Sequence, residues 1–580
     1  MRFLAPAAAL LIATASLDAQ ASDEDKRFTA FVETVLDGYW KLNPEEGFVV
    51  GYYKYADRAS VPDAAARAEE LRFDAESLAA LARFDPKALN VSNRVDLVLL
   101  RNKFESDRWY ATVFKNWQWE PSRYNVANSF ARQLSTEYAP YDTRLKHVLA
   151  RLASVPAYYV AAKANIDRPT LENTTLALDQ NRSALAVFDD ELLKKVDGSG
   201  LSASDKTLFA SRVTAAKAAI VDYVAFLAEL KAKLERGGAR SFRIGKELYA
   251  QKFAHDIPSR YSVSELYAMA KAEKASLHDR MELMARVLWP KYMGDNRMPR
   301  DRLELIRAVV DALSTHHTTP GAFLETVRRQ IPELERFVRD HDLVDQDPTR
   351  PLVVREMPAY QRGVSGAHVE TPGPYDPTAN TYYDVAPLDG YTPEDAESLL
   401  REYNDWMLQL LNIHEGVPGH YLQFVHANKT ASTVKRLFGN GAMEEGWAVY
   451  GERMMLDAGY GANAPEMWLT WMKWNLRSVC NTIIDVEIQT GDLGREQAIR
   501  FLTREAFQSQ AEAEEKWRRA TLSQVQLLSY YDGYAEITAL RDEEQARLGA
   551  AFSVKDFNNR FLSYGSAPVR LIRELMPQGE

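Results

Sequence analysis

Apolar side chains recur at helical spacing along most of the chain, most clearly from Ser204 to a stop at Gly237-Gly238. Steps of four and three residues connect a single stripe there: Phe209, Val213, Ala216, Ile220, Tyr223, Leu227, Leu230 and Leu234. At 1.5 Å per residue the predicted helix is roughly 45–50 Å long. Such a stripe is typical of a packed core.

Other segments carry the same period. A shorter stripe of Leu71, Ala75, Leu78 and Ala82 ends before Asp85-Pro86, because the residue before a proline disfavours the helical region. Segments 262–285 and 300–340 also look helical, and Pro320-Gly321 interrupts the second. The adjacent His316-His317 would point about 100° apart on a helix, so we interpret them as surface or loop residues. The pattern predicts a mainly helical fold.

The composition changes between about 345 and 391, where prolines and glycines separate short β-like runs. The runs are Leu352-Val353-Val354 and Tyr382-Tyr383-Asp384-Val385. This segment is either a linker or a small sheet beside the functional site, and we favour the sheet. Its edge strand would hold an extended peptide through main-chain hydrogen bonds. Thr392-Pro393-Glu394-Asp395 then starts a new helix, with a threonine cap and an early proline.

The most informative peptide is His414-Glu415-Gly416-Val417-Pro418-Gly419-His420. The common helical zinc motif places its histidines four residues apart, whereas six residues on a regular helix point them to nearly opposite sides. Pro418 has no N–H to bond the carbonyl of His414, and Gly419 tolerates unusual dihedrals. A break at Pro418-Gly419 would bring His420 back toward His414. Histidines near a helix end are also common without a metal, so this peptide alone leaves both interpretations open.

Further residues make the sequence recognisable. Four segments resemble the bacterial family called domain of unknown function 885. They are Leu400-Arg401-Glu402-Tyr403-Asn404, Ile413-His414-Glu415, Pro418-Gly419-His420-Tyr421-Leu422-Gln423 and Glu445-Gly446-Trp447-Ala448-Val449-Tyr450-Gly451-Glu452. The resemblance runs from about residue 25 to the C-terminus and is most specific in the last 230 residues. That family is grouped with gluzincin-type metallopeptidases and is similar to helical carboxypeptidases and oligopeptidases.

The resemblance implies a role for each matching residue. His414, His420 and Glu445 would be the metal ligands, and Glu415 would be the general base. Glu444 and Glu445 point about 100° apart on a helix, so only one of them faces the metal. Glu452, seven residues past Glu445, lies on the same face and would orient a ligand. The expected cofactor is one Zn²⁺ per chain, although this ligand set also suits Mn²⁺ or Co²⁺.

The chain departs from the family pattern at two places. Gln489 stands where the family usually has a histidine, and Tyr531 stands where it usually has a lysine. Gln526 and Tyr530 are kept, and Tyr530 is expected to donate a hydrogen bond to a developing oxyanion. The alternative for Tyr530 is a half-buried aromatic packing role. Trp468, Trp471 and Trp474, spaced by threes, are interpreted as packing, with a wall of the substrate cleft as the other possibility.

Composition and charge restrict the partners. A net charge of −10 on 580 residues argues against nucleic acid as a ligand, since phosphate neutralisation needs a basic face. The first 21 residues have the form of a secretory signal: Arg2, an apolar run from Phe3 to Ala15, and Ala19-Gln20-Ala21 for cleavage. The sole cysteine, Cys480, excludes an internal disulfide, lies too far from the signal for lipid attachment, and is expected to be buried. A periplasmic or secreted protein is expected, without membrane association after cleavage.

Taken together, the sequence predicts an all-α protein with a minor β-sheet, two lobes and a deep cleft between them. Residues 1–21 would be the signal peptide, 22–350 an N-terminal helical lobe and 351–580 the metal-binding lobe, with 22–580 forming one family domain. The expected function is zinc-dependent hydrolysis of short peptides. The alternatives are a non-peptide amide or ester metallohydrolase and a catalytically inactive periplasmic binding module. The sequence leaves the oligomeric state open.

Overall fold

The computed structural model describes residues 22–357, 367–376 and 380–576. The predicted signal peptide, 1–21, lies outside the described residues. Helices account for most of the described chain, and the predicted helical fold with a minor sheet is confirmed. No helix in these ranges is long and apolar enough to cross a membrane.

The helices before residue 240 form two groups. The first group is α1 (Asp23–Leu42), α2 (Pro44–Val49), α3 (Ala64–Leu81), α4 (Val91–Trp109) and α5 (Asn116–Trp119). The second is α6 (Ala127–Ser135), α7 (Tyr141–Leu152), α8 (Val155–Asn165), α9 (Leu171–Ala184), α10 (Asp190–Asp197) and α11 (Ala203–Glu235). The long helix predicted between Ser204 and Gly237-Gly238 is α11, and its apolar stripe faces α7, α8 and α9 as expected.

The predicted apolar stripe of α3 is confirmed in part. Leu71 and Leu78 are half-buried, whereas Ala75 and Ala82 are exposed, and the buried residues of the helix are Asp74, Ser77 and Leu81. The buried face is therefore rotated from the predicted one, and Asp74 on it lines a cavity, described below.

Four long helices and a small sheet follow. The helices are α12 (Gly245–Asp256), α13 (Val263–Met293), α14 (Arg302–Ser314) and α15 (Phe323–Asp340). His316 and His317 lie in the loop between α14 and α15, as predicted. The strands are β1 (Leu352–Glu356), β2 (Ala367–Glu370) and β3 (Thr381–Val385), in the order β1-β3-β2, with β1 parallel and β2 antiparallel to β3.

The remaining helices carry the candidate site. They are α16 (Pro393–Glu402), α17 (Met407–Glu415), α18 (His420–Ala427), α19 (Thr433–Leu437), α20 (Gly441–Asp457), α21 (Pro465–Thr490), α22 (Arg495–Glu505), α23 (Gln510–Leu522), α24 (Ser529–Leu548), α25 (Val554–Ser563) and α26 (Val569–Leu575). Thr392 caps α16 as predicted, its side chain accepting from the backbone N–H of Asp395. Cys480 is fully buried in α21, also as predicted.

The described residues form two hydrophobic cores. The smaller core is continuous in sequence and runs from Tyr124 to Leu227. The larger core collects side chains from Phe28 in α1 through Ile572 in α26, including residues on both sides of position 350. A division into lobes at that position therefore marks no break in the larger core, and the two-lobed arrangement with a deep cleft stays a prediction.

Candidate metal centre

The six-residue histidine spacing is accommodated by a break between two helices. α17 ends at Glu415 and α18 begins at His420, so the predicted break at Pro418-Gly419 is confirmed. In between, the backbone N–H of Gly419 donates to the carbonyl of Ile413 at 2.9 Å. A side chain at Gly419 would overlap the carbonyl oxygen of His414, so only glycine fits. The imidazole ring centres of His414 and His420 consequently lie 4.8 Å apart, with their planes nearly perpendicular.

The structure brings together the four residues predicted to surround the metal. His414, Glu415 and His420 each offer one ligand atom, and these atoms lie within 4.8 Å of one another. Oε2 of Glu445 lies 3.6 Å from Nε2 of His414 and 3.5 Å from Nε2 of His420. Ligand atoms bound tetrahedrally at about 2.0–2.1 Å from zinc would be about 3.3–3.4 Å apart. The spacing of Glu445 from both imidazoles is thus close to that of ligands sharing one ion.

Three further observations fit a cation at this place. Two imidazoles and one carboxylate are the ligand set of several catalytic zinc sites. His420 turns Nε2 toward Oε2 of Glu445, as His414 does, so both imidazoles face the same point. Burial by itself lowers the pKa of His414, but hydrogen bonds to Glu445 and Glu452 raise it to about 10. The carboxylates therefore stabilise positive charge between them even against burial, and the residues present fit a metal ion.

Glu452 fixes the orientation of His414. Its fully buried Oε1 accepts from Nδ1 of His414 at 2.7 Å and from Nε1 of Trp474 at 2.8 Å. With Nδ1 as donor, the lone pair of Nε2 faces the side where Glu445 lies. The spacing of seven residues from Glu445 predicted this partner. The sequence gave no sign of the bond from Trp474, since the period of three indicated packing or, as the other possibility, a wall of the substrate cleft. A charged residue within reach of an indole N–H is a tertiary contact that sequence spacing does not reveal.

Only one of the two adjacent glutamates faces the histidines. Glu445 points between them, whereas Glu444 accepts a hydrogen bond from Ser566 beside Gly439. Burial raises the pKa of Glu444 to about 7. The pKa of Glu445 lies well below its usual range, because the two imidazoles outweigh its burial. The assignment of Glu445 rather than Glu444 to the centre agrees with this geometry.

Tyr530 reaches the site because α20 and α24 cross at two glycines. A Cβ on Gly446 would overlap the backbone of Gly533, and a Cβ on Gly533 would overlap the carbonyl oxygen of Ala442. The crossing therefore brings the first turn of α24 beside Glu445. Burial, followed by the negative charge of Glu445, raises the pKa of Tyr530 to about 12, so its hydroxyl keeps its proton.

Arg519 holds the Tyr530 hydroxyl from behind. Its Nη2 donates to Oη of Tyr530 at 3.2 Å and to Oε1 of Gln526 at 2.7 Å. Since Oη accepts this bond, the O–H of Tyr530 is left to donate elsewhere. Arg519 is a positioning residue that the sequence pattern did not single out.

The residues that depart from the family pattern lie in the packed interior. Nε2 of the fully buried Gln489 donates to the carbonyl of Ala520 at 2.6 Å, and its Oε1 accepts from the N–H of Ile244 at 3.3 Å. Tyr531 is buried too. Gln489 therefore joins three segments of the fold, and the effect of both replacements on substrate choice stays a prediction.

The small sheet lies against the helix that carries His414. The hydroxyl of Tyr383 in β3 donates to Oδ1 of Asn412 at 2.9 Å, and Asn412 in turn donates to Gln330 of α15 at 2.6 Å. A sheet rather than a linker thus follows α15, as predicted. These contacts anchor the last turn of α17 and hence His414 and Glu415.

Comparisons with known proteins agree over almost the whole chain. A family profile described as a bacterial protein of unknown function, DUF885, matches residues 44–576. The structure of a candidate lipoprotein of unknown function from Shewanella oneidensis is 49% identical, with a TM-score of 0.87, and covers 95% of this chain and 100% of that one. A candidate lipoprotein from Colwellia psychrerythraea, 15% identical, has the same fold, with a TM-score of 0.74 and coverage of 95% and 98%. No curated protein matches this chain.

Proposed function

The chain belongs to the bacterial DUF885 family, and we propose that it is a metallopeptidase that hydrolyses short peptides with one Zn²⁺ per chain. The observation that carries the proposal is the meeting of His414, His420 and Glu445 beside Glu415. Zinc held by two imidazoles and a carboxylate polarises a carbonyl and lowers the pKa of a water molecule to about 7. The gluzincin-like relationship implied by the sequence motifs is part of this proposal.

The chain's own side chains supply the remaining chemistry. Glu415, next to His414 and half-buried, takes the proton from the attacking water and returns it to the leaving amine. Tyr530 donates its hydroxyl proton in a hydrogen bond to the oxyanion that develops on the peptide carbonyl. Glu452 keeps His414 in the tautomer that presents Nε2.

The small sheet suits a peptide substrate. β1 and β2 are the two edges of the sheet, and β3 between them is anchored to α17. An extended peptide added to an edge strand is held by main-chain hydrogen bonds, which are independent of its sequence. The proposed cleft between two lobes would admit short peptides and exclude folded chains.

The proposed setting is outside the cytoplasm. Two relatives of the same fold are described as candidate lipoproteins, a class that is exported. The signal-like first 21 residues of this chain have the same implication. We place the peptidase in the periplasm or the secreted fraction.

The test has two measurements. The full chain, purified without chelator, is analysed for metal content and then incubated with a peptide library that is read out by mass spectrometry. We expect one zinc per chain and cleavage of short peptides. Glu415→Gln should keep the metal and abolish turnover, whereas Glu394→Gln, the same change at an exposed position of α16, should leave turnover unchanged.

Three results would contradict the proposal or a part of it. Metal-loaded protein that cleaves simple amides or esters but no peptide would favour the non-peptide hydrolase. Protein that binds metal and peptides without cleaving any substrate would favour the inactive binding module. Glu415→Gln with an unchanged rate would remove Glu415 as the base.

A further inference from the structure

A second cavity lies away from the metal centre. It has a volume of about 790 Å³ and is enclosed by α1 to α4 on one side and by α6 to α8 on the other. None of the proposed metal ligands, Glu415, Glu452 or Tyr530 lines it. Its size is in the range of small-molecule sites in proteins, and nothing in the proposed peptidase chemistry uses it.

One wall of this cavity is acidic. Glu46, Glu70, Asp74 and Asp107, here called the acidic wall, line it, and the cationic side chains on the same cavity are those of Arg67, Lys103, Arg123, Arg132 and Arg151. Glu46 accepts from the hydroxyl of Tyr39 at 3.1 Å, and Asp107 pairs with Lys103 at 2.7 Å. Glu70 and Asp74 receive neither a hydrogen bond nor an ion pair from any described residue.

Asp74 is the unusual member of the acidic wall. It is only 4% exposed and yet has no partner in the described parts of the chain. Burial, reinforced by the charge of Asp107, raises the pKa of Asp74 to about 7. Buried carboxylates are normally hydrogen-bonded or paired, because desolvation of a lone charge is costly. Lys103 and Arg108 lower the pKa of Asp74 only in part, and neither donates a hydrogen bond to it, so this carboxylate faces the cavity without a direct partner among the described residues.

The local sequence makes the same point. On α3 the exposed positions include Ala75 and Ala82, whereas the inward-facing positions include Asp74 and Ser77. A helix that served only to pack would bury its alanines and expose its acids. Of the buried positions of α3, Asp74 lines the cavity, and its carboxylate is destabilising there unless it binds something in the cavity.

The surroundings favour an organic cation over a metal ion. Three carboxylates must come close together to hold a metal, but within the described ranges the acidic wall contains no three ligand atoms within 4.8 Å of one another. Aromatic rings line the same space, among them Tyr39, Phe73 and Trp117. The ammonium of Lys103 already lies 4.9 Å above the ring of Tyr39, a contact that an ammonium ligand would repeat.

We propose that this cavity is a binding site for a small organic cation with primary ammonium groups, with Asp74 and Glu70 as its counter-charges. The separated carboxylates accept N–H donors from a flexible amine, and the aromatic rings contact its methylene groups. The site is distinct from the metal centre and does not require that the chain be a peptidase.

The test is isothermal titration calorimetry of the full chain with spermidine, at constant ionic strength. We expect saturable binding at one site per chain and an affinity at least tenfold lower for Asp74→Asn. Glu76→Gln removes the same charge from the exposed face of the same helix and should bind as the unaltered chain does. Glu70→Gln is a second, independent variant in case Asp74→Asn does not fold, and it should also weaken binding.

Three outcomes would overturn the proposal. The absence of saturable heat when the unaltered chain is titrated with spermidine would rule out the ligand class. Equal affinity for the unaltered chain, the cavity variants and Glu76→Gln would show non-specific attraction to a negative protein. Saturable binding of Mg²⁺ or Ca²⁺ that Asp74→Asn abolishes, together with no spermidine binding, would identify a metal site instead.

Discussion

The crossing of α20 and α24 at Gly446 and Gly533 should be sensitive to a single methyl group. In Gly446→Ala the added Cβ would lie 2.7 Å from the backbone nitrogen of Tyr534, and closer still to the Cα and carbonyl carbon of Gly533. All three are backbone atoms, so no side-chain rotation relieves the overlap. The helices must separate by about 1 Å to restore ordinary van der Waals contact.

The magnitude follows from two opposing effects. Overpacking of this kind destabilises a protein by about 1–3 kcal/mol. Replacement of a helical glycine by alanine returns up to about 1 kcal/mol through helix propensity. We expect a net loss of about 1–2 kcal/mol of unfolding free energy. The same displacement moves Tyr530 relative to Glu445. A misplacement of about 1 Å should lower the rate of the proposed peptide hydrolysis by about 100-fold.

Gly451→Ala is the matched control. This glycine lies in the same helix, and an added Cβ would meet nothing closer than Cγ of Pro418 at 3.5 Å, an ordinary contact. Urea unfolding followed by circular dichroism should therefore place Gly451→Ala at or above the unaltered chain and Gly446→Ala below it. If Gly446→Ala unfolded at the same urea concentration as Gly451→Ala, the close crossing would be refuted.

Three further predictions concern single side chains. Tyr530→Phe should lower kcat by about 10²–10³-fold with metal content unchanged, as for loss of one oxyanion donor. An unaltered kcat for peptide cleavage would show that Tyr530 does not stabilise the oxyanion. Glu452→Gln should weaken zinc binding by about 10–100-fold, measured by competition with a chromophoric chelator, because His414 loses its carboxylate partner; equal affinity would contradict that role. Asp74 in the folded chain has its pKa raised from 3.8 to about 7, so an ionised Asp74 destabilises the fold increasingly as the pH rises between those values. Three pKa units correspond to at most about 4 kcal/mol, and solvent that reaches the carboxylate through the cavity reduces this figure. Asp74→Asn should thus be more stable than the unaltered chain at pH 8 and equally stable at pH 4, and a pH-independent difference in urea unfolding would count against a buried, unpaired carboxylate.

The metal centre could be anticipated because its constraints are local. Proline lacks the N–H that a continuous helix needs, so the break after Glu415 follows from the residue type at 418. Helical spacing along α20 shows that only one of Glu444 and Glu445 can face the metal and that Glu452 shares the face of Glu445, while the resemblance selected Glu445. The resemblance to a known family supplied the remaining step, namely which distant helix carries the third ligand.

The sequence did not predict features that depend on contacts between distant segments. The parallel pairing of β1 with β3 needs the register of two separate strands, and the apolar runs gave only their positions. The burial of Asp74 was missed because the stripe of leucines and alanines on α3 placed the centre of the inner face nearer Leu71 and Ala75 than the structure does. The bonds of Trp474 to Glu452 and of Arg519 to Tyr530 join helices whose packing no local period encodes.

The larger hydrophobic core contains residues from near both ends of the chain. Phe28 of α1 and Ile572 of α26 belong to it together with residues of α17 and α20. A fragment that begins at residue 351 would carry every proposed metal ligand and still leave its apolar interior open to water. The same fragment would be prone to aggregate and would hold zinc, if at all, without the preorganised geometry. Dissection of this protein into halves is thus a poor route to its chemistry, because its two terminal helices contribute to one core.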